Sequence, residues 1–104
     1  MTIDLTPAQS QEVCNILRKT LAPHGTAELL QAWVFGSRAT GHARPFSDLD
    51  ILITQPTTLG WRERADLTDA LEASDLPFRV DVVEAARLSQ SMVPRVMAER
   101  KILL

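Results

Sequence analysis

The chain has a single cysteine, Cys14, so no internal disulfide can form and nothing points to an oxidising compartment. Long apolar runs are missing, and none approaches the ~20 residues that a membrane-spanning helix needs. The opening stretch, MTIDLTPAQS, lacks a basic region followed by an apolar run, so no secretory signal is expected and the expected location is the cytoplasm. There are no repeats, no low-complexity segments and no linkers. Excess positive charge is lacking too. A net charge of −2 excludes the basic footprint of a dedicated binder of long nucleic acid. A small anionic ligand stays open, because nine of the eleven basic residues are arginine and can cluster locally. His24 and His42 are not spaced as metal ligands with another His or Cys, and read as loop residues.

What is present suits one small globular domain over residues 1–104, with 45% apolar and 23% charged residues. A chain of this length buries roughly two-thirds of its unfolded surface. Thr6 reads as the N-cap of a first helix, with Pro7 at its first position and Gln9 closing a capping box. Val13, Ile16, Leu17 and Leu21 follow at helical spacing, with Cys14 on or beside that face, and Pro23-His24-Gly25 ends the helix. Glu28 to Phe35 reads as a strand, Arg38 to His42 as a short helix, and Asp48 to Thr54 as a second strand broken by Gln55-Pro56. A helix is expected over Thr58 to Ser74, with Leu67, Ala70 and Leu71 inward, then a strand over Phe78 to Val83. A last helix over Gln90 to Arg100 has Pro94 in its first turn, and Lys101 to Leu104 reads as a short terminal strand. The alternation predicts an α/β (α+β) sandwich, with a small sheet and helices packed on it.

The chemistry concentrates in a block from Gly36 to Asp50, GSRATGHARPFSDLD. Asp48 and Asp50 are two apart on a strand and point to one face, with Leu49, Ile51 and Ile53 on the other. Two carboxylates this close repel, and a divalent cation relieves that repulsion; Mg²⁺ suits carboxylate oxygens plus substrate phosphates. Taken alone, the pair reads as well as solvated strand-edge residues. Asp81 adds weight. Phe78, Val80 and Val82 alternate onto one face of their strand and leave Asp81 on the other. It either pairs with a nearby arginine or, if the two strands lie side by side, joins the first two acids. Three such acids form a ligand set for two metal ions ~4 Å apart. Gly36 lets the backbone turn sharply and approach a phosphate, and Ser37 either donates to that phosphate or simply caps the helix that follows. Arg38 either reaches a phosphate or is an exposed helix-start residue. Arg44 is a candidate contact to nucleotide or partner, and Ser47 either bonds Asp48 or caps its loop. Trp33 is expected in the core. Trp61 sits to the side of its helix's inward stripe and suits an edge or a partner, and Arg62-Glu63-Arg64 with Asp66 reads as a solvated face.

Gly36-Ser37, ten intervening residues and Asp48-Leu49-Asp50, with Val34-Phe35 before and Phe46-Ser47 between, resemble the signature of the DNA polymerase beta-type nucleotidyltransferase superfamily. The resemblance is closest to its minimal stand-alone members, the MNT proteins. It extends through Leu76-Pro77-Phe78-Arg79-Val80-Asp81-Val82-Val83 and covers about Leu29 to the C-terminus. It implies that Asp48 and Asp50 ligate two Mg²⁺ ions. It also implies that Asp81 helps hold the catalytic metal and assists deprotonation of the acceptor. Gly36, Ser37, Arg38 and Ser47 become the candidate nucleotide-binding residues. The implied reaction is attack of a hydroxyl on the α-phosphorus of a nucleoside triphosphate, with release of pyrophosphate. Small members act as antitoxins beside a helical HEPN protein, in some cases by moving AMP from ATP to its tyrosine. Nearly the whole sequence is used by the nucleotide-binding core, so the acceptor is expected from another protein or from a second copy of the chain. The rival expectation is a non-catalytic module that binds nucleotide and neutralises its partner by occlusion.

Overall fold

The computed structural model describes residues 3–25 and 29–104. Helix α1, Pro7–Leu21, starts where its cap chemistry dictates. Thr6 Oγ1 accepts from the Gln9 amide at 3.1 Å and Gln9 Oε1 accepts from the Thr6 amide at 3.0 Å. Its buried face is Val13, Leu17 and Leu21, while Ile16 is partly exposed. The following elements are β1 (Gln31–Phe35), α2 (Ser37–Thr40), β2 (Leu49–Gln55), α3 (Trp61–Glu72), β3 (Val80–Glu84), α4 (Val93–Glu99) and β4 (Lys101–Ile102). Short 3₁₀ turns lie at Ala22–His24 and Ala85–Arg87. The four strands form one mixed sheet in the order β3-β2-β1-β4. β1 is antiparallel to β2 and to β4, and β2 is parallel to β3. Among the described residues no helix is long and apolar enough to cross a membrane.

Every element expected from the sequence forms, with shifted ends. β1 begins at Gln31; Glu28, expected at its start, lies outside the described residues. α2 spans Ser37–Thr40 rather than reaching His42, because Gly41 takes a left-handed φ of 81° and stops it. α3 starts at Trp61, not Thr58, because Glu63 Oε1 accepts from the Gly60 amide at 2.9 Å and fixes the first turn there. α4 begins at Val93, so Pro94 falls within its first turn, where a missing N–H costs little.

The sheet has two differently covered faces. Leu49, Ile51 and Ile53 of β2, with Ala32 and Val34 of β1, pack against the apolar stripes of α1 and α3 to form the main core. The opposite face carries Phe35, Leu52 and Val96 with Trp33, Val83 and Met92. Thus the alternation that buries Leu49 and Ile51 turns Asp50 and Leu52 to the second face, which α4 only partly covers. Trp33, expected in the core, is half-buried there. Its indole N–H donates to Thr54 Oγ1 at 2.9 Å, and the Arg100 guanidinium lies over its ring. The charged face expected on α3 is not simply solvated. Arg64 Nε donates to Glu84 Oε1 at 2.8 Å, and His24 Nε2 lies 3.1 Å from Asp66 Oδ2. Glu84, at the end of β3, is 3% exposed, so the arginine supplies the partner that a buried carboxylate requires. Trp61 is 72% exposed at the first turn of α3.

Candidate active site

The strand register brings the three aspartates together. Asp50 of β2 is the direct partner of Asp81 of the parallel strand β3, and Phe35 of β1 is the partner of Asp50. Neighbouring strands are about 4.8 Å apart, so Asp50 and Asp81 project side by side from one face. Asp48 lies two residues before Asp50 and is exposed at the strand entrance. Gly36 ends β1 beside the same edge. A Cβ built on Gly36 would stand 2.4 Å from Asp50 Oδ2, so the turn and the acid are in direct contact. Its φ of 75° and ψ of −155° belong to a region that only glycine adopts readily.

The electrostatics are those of an excess of negative charge that two arginines only partly offset. Asp50 is half-buried, and that burial pushes its carboxyl above the usual carboxylate range. Repulsion from Asp81, Asp48 and Glu99 pushes the same way, and Arg95 opposes it. Asp81 is paired with Arg79, whose Nη2 and Nε lie 3.0 and 3.1 Å from Oδ1. Both expectations for Asp81 therefore hold geometrically: it is paired to an arginine and it faces the other two acids.

Arg38 requires a correction. It is not poised over the turn. It is 4% exposed, and its guanidinium donates to the carbonyls of Ser47 at 2.9 and 3.0 Å, Asp4 at 2.8 Å and Pro45 at 3.1 Å. The Phe78 ring packs beneath it, 4.0 Å away. A charge buried this way is satisfied by the loop it organises and is not available to a phosphate. Arg38→Ala is therefore expected to lower stability by about 3 kcal/mol, since several carbonyls lose a charged donor at once. Urea unfolding measures this, and an unchanged midpoint would contradict the assignment. Ser47 belongs to the same loop: its hydroxyl accepts from the Arg44 amide at 2.8 Å, which is the loop-capping alternative rather than a bond to Asp48. Arg44 and Phe46 are exposed on the approach to the acids.

Sequence reasoning missed Glu99. Its Oε1 accepts from the Gly36 amide at 2.9 Å, and Arg95 Nε lies 3.9 Å from the same oxygen. The available signal was the terminal strand. Val34 pairs with Lys101 in an antiparallel ladder, and continuing that register two steps sets Gly36 opposite Glu99. Cys14 carries no such role: burial raises its thiol above the ordinary value and its Sγ faces the Leu103 carbonyl.

Residues 15–104 match the family described as polymerase beta, nucleotidyltransferase. The chain belongs to this family. It is also 43% identical over 58 residues to the "Probable protein adenylyltransferase MntA" of Haemophilus influenzae (strain ATCC 51907 / DSM 11121 / KW20 / Rd). That match takes in 56% of this chain and spans about half, 51%, of the relative's length. Two solved structures are similar in fold. A toxin-antitoxin crystal structure with AMP-PNP superposes with a TM-score of 0.64 at 29% identity, covering 88% of this chain and 72% of that one. A structure named as a minimal nucleotidyltransferase gives 0.62 at 33% identity, covering 90% and 88%. The nucleotidyltransferase fold expected from the sequence is thus the fold of this polymerase beta family member.

Proposed function

We propose that this chain is a Mg²⁺-dependent adenylyltransferase that moves AMP from ATP to a hydroxyl of a protein partner, a tyrosine of a helical HEPN-type toxin, and so acts as its antitoxin. The observation that carries this reading is the pairing of Asp50 with Asp81, which sets three carboxylates on one open face beside the Gly36-Ser37 turn. A relative named as a protein adenylyltransferase and a similar toxin-antitoxin structure with AMP-PNP support the nucleotide and the protein acceptor. The reaction would take place in the cytoplasm, where ATP and a toxin of the same cell meet.

The donor set fits the proposed metal. It is oxygen-only, and Asp50 stands in the repulsion of three other acids, which bound cations would relieve. Among the described residues no three His, Cys, Asp or Glu side chains close a metal cage by themselves. Mg²⁺ held here would complete its coordination with water and substrate phosphates. Asp48, Asp50 and Asp81 would hold the ions, which when bound would neutralise the triphosphate and polarise its α-phosphorus.

The chain's own residues do the rest. Gly36, having no side chain, lets the turn lie directly against Asp50, and the Ser37 hydroxyl at the start of the following helix donates to the triphosphate. The acceptor oxygen forms a bond to the α-phosphorus, the bond to the β-phosphate oxygen breaks, and pyrophosphate leaves. Asp81 takes the acceptor's proton. Arg79 Nε and Nη2 both donate to Asp81 Oδ1 and so orient that carboxylate. Phe46 and Arg44, exposed in the loop that leads to Asp48, offer an apolar and a cationic contact to the incoming partner.

The test combines the chain, its helical partner, labelled ATP and Mg²⁺, and follows both label on the partner and the partner's toxicity. Transfer and neutralisation that both disappear in Asp48→Ala and Asp50→Ala support the proposal. Neutralisation that persists unchanged in those variants would establish occlusion instead.

A further inference from the structure

The segment Glu99-Arg100-Lys101 holds both ends of α2. At the front, Glu99 Oε1 accepts from the Gly36 amide at 2.9 Å. At the back, the Lys101 ammonium donates to the Ala39 carbonyl. Between these two points lies the whole of the Gly36-Ser37 turn. Inside the turn the Gly36 carbonyl accepts from the Ala39 and Thr40 amides, which fixes the peptide plane between Gly36 and Ser37. The preceding plane, between Phe35 and Gly36, carries the N–H that Glu99 holds. The Glu99 side chain is 17% exposed and is therefore held in place rather than waving in solvent. It stands close enough to Asp50 for the two carboxylates to repel. A fourth acid beside three others calls for a compensating function.

We propose that Glu99 is a positioning residue for the triphosphate turn. By accepting from the Gly36 amide it fixes the glycine in its unusual conformation. That directs Ser37 toward the phosphates and holds the Gly36 Cα against Asp50. What matters is an acceptor oxygen at the right reach, not the charge. The inference deepens the adenylyltransferase reading and rests on it for its kinetic consequence, although the hold on Gly36 stands apart from any nucleotide.

The experiment has two arms on the full chain. The first uses no nucleotide and reads hydrogen exchange of the Gly36 amide by NMR in wild type, Glu99→Gln, Glu99→Asp and Glu99→Ala. Wild type and Glu99→Gln, which keeps the acceptor, should protect the amide. Glu99→Asp, too short to reach, and Glu99→Ala should exchange at least ~10-fold faster. Thermal melts of all four confirm folding, and Glu99→Asp serves if the alanine variant does not fold. The second arm measures transfer. Glu99→Gln should stay within about threefold of wild type, while Glu99→Asp raises KM for ATP about tenfold with kcat little changed. Unchanged Gly36 exchange in Glu99→Asp overturns the proposal. So does a Glu99→Gln variant that loses kcat as the Asp50 variants do, which would make Glu99 a member of the reacting acids. If wild type transfers nothing to any acceptor, the adenylyltransferase reading fails, and the exchange arm alone decides whether Glu99 holds the turn.

Discussion

Asp50→Asn is expected to lower kcat by about 10³-fold while making the metal-free protein more stable. The loss follows from the side chain's place between Asp48 and Asp81. An amide keeps the shape but removes the charge that would balance the proposed cations, and several kcal/mol of transition-state stabilisation would go with it. The stability gain follows from the same geometry. The native carboxyl is pushed up by burial and by its acidic neighbours, so the folded state binds this proton more tightly than the unfolded chain does. Such a group penalises the fold once it ionises. The penalty is fully present above the raised folded value, fades as pH falls from there, and is gone below the unfolded value of 3.8. Solvent screening keeps it modest. In metal-free buffer near pH 7 the variant should therefore melt higher by roughly 2–5 °C, the effect of somewhat less than 1 kcal/mol on a chain of this size. The gain should vanish as pH is lowered below the ordinary carboxylate range. Saturating Mg²⁺ and ATP should reverse the order, because only the wild type gains from the ions. A variant that is less stable than wild type at every pH would contradict the picture of Asp50 as an only partly offset charge.

Gly36→Ala should damage both folding and transfer. The new methyl would stand 2.4 Å from Asp50 Oδ2, well inside contact distance, and φ at 75° with ψ at −155° is unsuited to any side chain. The backbone cost alone is on the order of 1–3 kcal/mol. The clash can be relieved only by rotating Asp50, which moves a proposed ligand. We expect urea unfolding to show a loss of roughly 2–3 kcal/mol, and kcat/KM to fall about 10²-fold or more. The pair should be non-additive. Gly36→Ala placed on Asp50→Ala should cost only the backbone share of stability and nothing further in activity. Full additivity would show that the two residues do not touch in solution.

The alternation of Asp48-Leu49-Asp50-Ile51 and of Val80-Asp81-Val82 was enough to assign faces, because a strand's period of two is visible in sequence. That β2 and β3 lie side by side was not visible: parallel pairing is set by the helix between them packing on the sheet, and no residue marks it. The capping box of Thr6 and Gln9 was legible because it is local. Arg38 misled because its neighbours in sequence, Gly36 and Ser37, suggest an anion, whereas its partners are backbone carbonyls of Asp4 and of the loop at Pro45 to Ser47. Backbone acceptors leave no signature in composition. Glu99 was hidden for a related reason. It contacts Gly36 from 63 positions away, and only the two-residue strand β4 brings it there. Arg64 looked solvated for want of any sign that Glu84, twenty residues on, would be buried against it.

The central claim is nucleotidyl transfer by the three aspartates, and the position of the label tests it most directly. The chain is incubated with the proposed helical partner and Mg²⁺, once with ATP labelled at the α-phosphate and once with ATP labelled at the γ-phosphate. Label from the α-position should appear on the partner, with an equal amount of pyrophosphate released. Label from the γ-position should not, and Asp81→Asn should abolish transfer while leaving the fold intact. Transfer of the γ-label, or undiminished α-transfer by the Asp81 variant, would contradict the account.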